Sequence, residues 1–109
     1  MAETPKVLAQ LAPAATTRTA LYTVPSSTNT VTSTLFVCNR NSSNIKFSVA
    51  VAVANAADDP KQYLYYDLTL TKNDTFGATV GLTLAASDVV YVYSDTSNVA
   101  FTLMGVEVT

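Results

Sequence analysis

Three kinds of side chain in this sequence could take part in chemistry: eight carboxylates, the single thiol of Cys38 and six tyrosines, with no histidine beside any of them. Without histidine the commonest general base is missing, and with it every Ser-His-Asp or Cys-His arrangement and nearly every catalytic zinc site. Asp58 and Asp59 are adjacent in a polar stretch, where neighbouring carboxylates splay apart and stay solvated. Neither is then held protonated near neutral pH, as paired-carboxylate glycosidase work requires. Asp74, Asp88 and Asp95 fall in turn sequences, where an aspartate bonds nearby backbone N–H groups. Asp95, Ser97 and Asn98 carry too few carboxylates for a tight calcium site. Gly77, Gly81 and Gly105 make no phosphate-cradling loop. Asn41-Ser42-Ser43 and Asn73-Asp74-Thr75 match the N-glycosylation triplet, yet without a secretory signal both read as turns. The expectation is a non-enzyme with no catalytic residue, metal or cofactor.

Tyrosine alone has a suggestive arrangement, with Tyr63, Tyr65 and Tyr66 in one segment and Tyr91 and Tyr93 in another. Alternation through Gln62–Thr71 puts Leu64, Tyr66, Leu68 and Leu70 on the core side and Tyr63 and Tyr65 on the opposite face. Two exposed rings side by side suit a protein interface or the stacking of a sugar, and equally suit cross-strand pairing that stiffens a sheet. Cys38 sits among Phe36, Val37 and Asn39 and is expected as a buried core thiol. A lone cysteine forms no intrachain disulfide and implies no oxidising compartment.

The elements that position these residues are strands. In Ile45–Ala54 the residues Ile45, Phe47, Val49, Val51 and Val53 share one side, and Lys46, Ser48, Ala50 and Ala52 the other. The same period recurs in Thr19–Val24, Thr30–Asn39, Gln62–Thr71, Thr75–Leu84, Val89–Tyr93 and Val99–Val108, with turn chemistry between. Gly77 and Gly81 mark bulges or bends in their strand. This spacing predicts an all-β fold, an antiparallel β-sandwich or jelly-roll of about seven to eight strands occupying residues 19–109 as one domain. Residues 1–18 lack the period, and Pro13 limits any helix there to two turns. They are expected as an extended N-terminal arm, whose Val7, Leu8 and Leu11 dock on the domain or reach a neighbour, a frayed terminus being the alternative.

Charged residues make up only 13% of the chain, so its surface is dressed with hydroxyls, and seventeen threonines suit exposed strand faces. Such a face fits packing between copies, hence a homo-oligomer, as well as it fits plain solvation. Six scattered lysines and arginines form no basic stripe, which argues against nucleic acid. The longest uninterrupted apolar run, Val49 to Ala54, argues against a membrane span. The acidic, proline-containing start Met1 to Lys6 is unlike a secretory signal, so the chain is expected to be made and kept in the cytoplasm unless it leaves inside a larger particle.

Leu21-Tyr22-Thr23-Val24-Pro25, Phe36-Val37-Cys38-Asn39-Arg40, Tyr65-Tyr66-Asp67, Asn73-Asp74-Thr75, Gly81-Leu82-Thr83-Leu84, Asp88-Val89-Val90 and the closing Gly105-Val106-Glu107 resemble small structural proteins of tailed bacteriophage particles. The resemblance covers about residues 19 to 108 and rests on turns and strand ends. It implies a compact β-sandwich of the virion, assembled in the host cytoplasm and free of catalytic residues. The leading expectation is a capsid cement or decoration protein whose partners are the major capsid protein or other virion proteins. One alternative is a tail, baseplate or fibre-attachment module. Another, from a different class, is a carbohydrate-binding module stacking sugars on Tyr63 and Tyr65. The expected interface residues are Val7, Leu8, Leu11, Tyr63 and Tyr65.

Overall fold

Ile45, Phe47 and Val49, which alternation puts on one side of a strand, are all buried in the computed structural model, which describes residues 2–109. The strands are β1 Glu3–Leu11, β2 Thr19–Thr23, β3 Asn29–Asn39, β4 Ile45–Ala52, β5 Tyr63–Leu70, β6 Thr75–Ala78, β7 Thr83–Leu84, β8 Val89–Ser94 and β9 Val99–Val108. They form two antiparallel sheets, a five-stranded one in the order β1-β9-β3-β6 with β7 also on β3, and a four-stranded one in the order β2-β8-β4-β5. Among the described residues the fold is therefore an all-β sandwich of nine strands. The molecule measures 45 × 27 × 19 Å, and its short dimension suits two sheets packed about 10 Å apart.

Between the sheets, Phe47 of β4 is the hub of an aromatic cluster. Its ring lies 5.4 Å from Phe76, 6.2 Å from Phe101 and 6.4 Å from Tyr65. Tilted and edge-on contacts of this kind add to the burial of the rings themselves. Leu35, Val37, Val90, Val92 and Leu103 complete the centre. Tyr22, on β2, reaches across the sandwich to Thr30 of β3 and Glu107 of β9.

Two strands beyond the seven alternating runs have separate causes. The expected strand Thr75–Leu84 is two, because the chain leaves the sheet at 79–82. Thr32 holds this excursion, donating from its hydroxyl to the Val80 carbonyl and accepting from the Leu82 N–H at 2.9 Å. Gly77 lies within β6 opposite Phe36, and Gly81 falls in the excursion between β6 and β7.

The N-terminal segment is extended and docks on its own domain, as edge strand β1 paired to β9 from Glu3↔Val108 to Leu11↔Phe101. A bulge at Leu8 breaks its alternation. Leu8, Ala9 and Leu11 pack against the core, and Val7 is 50% exposed. Beyond the strand, Ala2 and Thr109 exchange two backbone hydrogen bonds of 2.9 Å.

Candidate functional site

A sandwich offers two outer faces, and here they differ in chemistry. On the five-stranded sheet four successive rows face outward: Pro5–Val106–Val31–Thr83, Val7–Met104–Thr34, Gln10–Thr102–Phe36–Gly77 and Ala100–Cys38–Thr75. None of these side chains is charged. Val31 and Phe36 are 44% and 40% exposed, large values for apolar residues inside a sheet. Val31 faces outward because β3 has a register shift between Thr32 and Thr34, which reverses its side relative to Leu35 and Val37. The Phe36 ring lies over Gly77 of the neighbouring strand, in the space that a Cβ there would occupy. Cys38 belongs to this face too. It is part-buried rather than a core thiol, because Val37 and Asn39 on either side take the inward positions.

The outer face of the four-stranded sheet is grooved and mixes charged groups with aromatic ones. After β4 the chain makes two short turns, Val53–Asn55 and Pro60–Gln62, and the intervening loop is fastened back onto the sheet. Asp88 Oδ1 accepts the Ala54 N–H at 2.8 Å, and the Tyr91 hydroxyl donates to Asn55 Oδ1 at 2.6 Å. Gln62 donates to the Ala57 carbonyl at 2.8 Å and accepts from Arg18 Nη2 at 3.1 Å. The Arg18 guanidinium stacks 3.6 Å from the centre of the Tyr91 ring, a cation–π contact. Its Nε lies 3.5 Å from Asp58 Oδ1, an ion pair without hydrogen-bond alignment, which leaves that N–H without an acceptor. Tyr63 donates to the same carboxylate at 2.9 Å. Burial first, and then this hydrogen bond to a carboxylate, raises the Tyr63 pKa above its ordinary value.

Under this loop lies a hollow of about 440 Å³ lined by Asp58, Asp59, Pro60, Tyr63 and Tyr66. A second, of about 370 Å³, shares Asp58, Tyr63 and Tyr66 with it and adds Thr16, Arg18, Ser48, Asp67 and Tyr93. Together they form one groove along the outside of β5 and β4.

The tyrosines are distributed differently from the expectation. Tyr65 turns inward and meets Phe76 edge-on at 5.2 Å, and the surface pair is Tyr63 with Tyr66, perpendicular at 5.3 Å. Two irregularities in β5 cause this. The pairing with β4 slips between Tyr63 and Tyr65 and again between Tyr65 and Leu68, and each slip reverses the side on which following residues fall. Asp67 takes the second slip with φ 50°, its N–H donating to the Ser48 hydroxyl at 3.0 Å, and Tyr66 is left 71% exposed. Leu64 and Leu68, expected in the core, are exposed as well.

The remaining sequence candidates lie apart from the groove. Val7 is on the apolar face, whereas Leu8 and Leu11 are turned toward the core. Asp74 and Asp95 bond backbone N–H groups at turns, from Thr75 at 2.8 Å and Lys46 at 3.1 Å. Among the described residues no cluster of three or more acidic or cysteine side chains is placed to hold a metal ion, and no helix is long and apolar enough to cross a membrane. Sequence reasoning missed Arg18, Tyr66 and Asp67. The one available signal was Asp67 within a strand, a residue that β-structure disfavours. Comparison with protein-family models and with curated proteins finds no match for this chain.

Proposed function

We propose that this chain is a non-enzymatic structural protein that acts by protein–protein contact, docking through the outer face of its five-stranded sheet. The observation that carries this reading is the run of four uncharged rows containing Val7, Val31, Phe36, Met104 and Val106. Val7, Val31 and Phe36 stand exposed there with half-buried Met104 and Val106 between them, and exposed apolar side chains grouped on an uncharged face mark interaction sites. The likeness of residues 19–108 to small structural proteins of tailed bacteriophage particles supports the virion as the setting. On that basis the partner is the capsid shell and the role is that of a cement or decoration protein.

The test places a charge in the centre of the face. Phe36→Glu should abolish co-sedimentation with purified capsids of the particle that carries the chain, weakening binding by about thirtyfold or more, as a charge buried without a partner does. Cys38 provides a second reading on the unaltered chain, since its reaction with a thiol reagent should slow when the face is covered. Undiminished binding by Phe36→Glu overturns the assignment of the face. Binding to isolated tails instead of capsids moves the protein to the tail or baseplate.

A further inference from the structure

We propose that the groove on the four-stranded sheet is a carbohydrate-binding site for neutral or amino sugars. Four features meet there: an aromatic pair of half-buried Tyr63 and exposed Tyr66, carboxylates without a cation partner, a fastened loop, and a position on the face opposite the uncharged docking surface.

Tyr63 and Tyr66 form a right-angled corner at 5.3 Å, with Tyr66 the most exposed of the large apolar side chains at 71%. A pyranose presents one face of C–H groups and an edge of hydroxyls. An aromatic ring held open to solvent takes the first, and carboxylates within reach take the second, each accepting two or more hydrogen bonds. Asp58, Asp59 and Asp67 line the groove around the pair, together with Ser48 and Tyr93.

Charge selects the class of sugar. Arg18 is the one cation among the lining residues, and it is engaged by Asp58, by Gln62 and by the Tyr91 ring. Asp59 and Asp67 face the groove without a cation of their own, so the groove is net negative. It repels phosphates and acidic sugars and admits neutral or amino sugars.

The groove exists before any ligand arrives. The Asp88, Tyr91, Arg18 and Gln62 contacts hold the loop in place, so little is spent on ordering it when a sugar binds. Because this groove and the apolar face lie on opposite sheets, a copy docked by one presents the other outward.

The test is a panel of immobilised oligosaccharides made of neutral hexoses, N-acetylhexosamines, amino sugars and sialylated chains, with a lysine-rich peptide as the competing class, probed with the whole chain. Binding to neutral or amino sugars, weakened about tenfold or more in Tyr66→Ala and in Asp67→Asn, is the expected result. Tyr66 is exposed, so its removal should leave the circular dichroism spectrum and capsid co-sedimentation intact, whereas Phe36→Glu should leave sugar binding intact. Failure of the groove is thereby distinguished from failure of the docking face. The inference is overturned by binding to none of the sugars, by binding that Tyr66→Ala leaves unchanged, by preference for sialylated chains, or by retention of the lysine-rich peptide alone.

Discussion

The Tyr22 hydroxyl donates a hydrogen bond of 2.5 Å to Glu107 Oε2, joining β2 of one sheet to β9 of the other. The same carboxylate holds Lys6 Nζ of β1 at 2.8 Å through its other oxygen, and Tyr22 also meets Thr30 Oγ1 at 2.8 Å. Four strands from both sheets thus converge on one polar cluster at the edge of the core. Lys6 first and Tyr22 second hold the Glu107 carboxyl below its ordinary value. Burial, then the bond to Glu107, pushes Tyr22 up to about 12.

Alkali should weaken the fold through Tyr22. Its folded pKa lies above its unfolded value of 10.0, so the contribution is fully present below pH 10 and lost as pH rises toward about 12. The full two-unit shift corresponds to about 2–3 kcal/mol. Urea unfolding across that window should show the decline in the unaltered chain and a flatter profile in Tyr22→Phe.

Acid should weaken the fold through Glu107, with the opposite sign. A depressed carboxyl contributes stability above its unfolded value of 4.5 and loses it as pH falls through the lower folded value. Glu107→Gln should be less stable than the unaltered chain at neutral pH, and the two stabilities should approach each other below the carboxylate range. A constant gap across the titration would contradict this.

Gly105 and Gly81 should respond oppositely to alanine. A Cβ on Gly105 would collide with the Val31 carbonyl oxygen and stand 2.8 Å from Thr32 Cα, both backbone atoms of the paired strand, whereas a Cβ on Gly81 meets nothing within 4 Å. Gly105→Ala should cost about 1–3 kcal/mol or more by forcing β3 and β9 apart. Gly81→Ala should be neutral or stabilising by about 0.4–1 kcal/mol, since the unfolded chain loses freedom. Thermal unfolding of the two variants decides it.

Asn39 should be irreplaceable by a residue of similar size. Its buried amide donates to the carbonyls of Ser43, Leu70 and Thr71, and its Oδ1 accepts the Asn41 N–H at 2.9 Å. Asn39→Leu orphans these groups and should cost about 2–4 kcal/mol. Asn39→Asp should cost no less, because a carboxylate would face three carbonyl oxygens.

The chain from Thr19 onward should be less stable than the chain with β1. Alternation places every regular strand after that point, but Leu8, Ala9 and Leu11 pack against the core and β1 pairs along β9. Removing β1 exposes those contacts and an edge of the sheet, so the loss should reach several kcal/mol on the scale of about 1.5–3 kcal/mol per buried large apolar side chain. Equal unfolding midpoints with and without residues 1–18 would show that β1 contributes nothing to the fold.

Strands with one buried face were legible because burial repeats at the pleat. β2, β3, β4, β5, β8 and β9 begin and end within about two residues of the alternating runs. β1 was not legible, because an edge strand exposes most of its residues and its bulge at Leu8 breaks the period. The groove was hidden for a related reason. Within Gln62–Thr71 only Asp67 hints at the slips against β4, and each slip moves the following side chains to the other face, which sends Tyr65 into the core and Tyr66 out of it. Arg18 was missed because its partners, Asp58, Gln62 and Tyr91, are at least forty residues away in the chain and meet it only after the sheets close.

The paired hydrogen bonds between Ala2 and Thr109 have a topological consequence. With these residues held together at 2.9 Å, β1 and β9 are already arranged as a hairpin that lacks only its turn. A short glycine-containing link between residues 109 and 2 would supply it, and the chain could then be opened elsewhere, at the exposed turn 72–73, without changing a single strand neighbour. Such a circular permutant keeps both outer faces intact while moving the point at which a fused protein would leave the molecule.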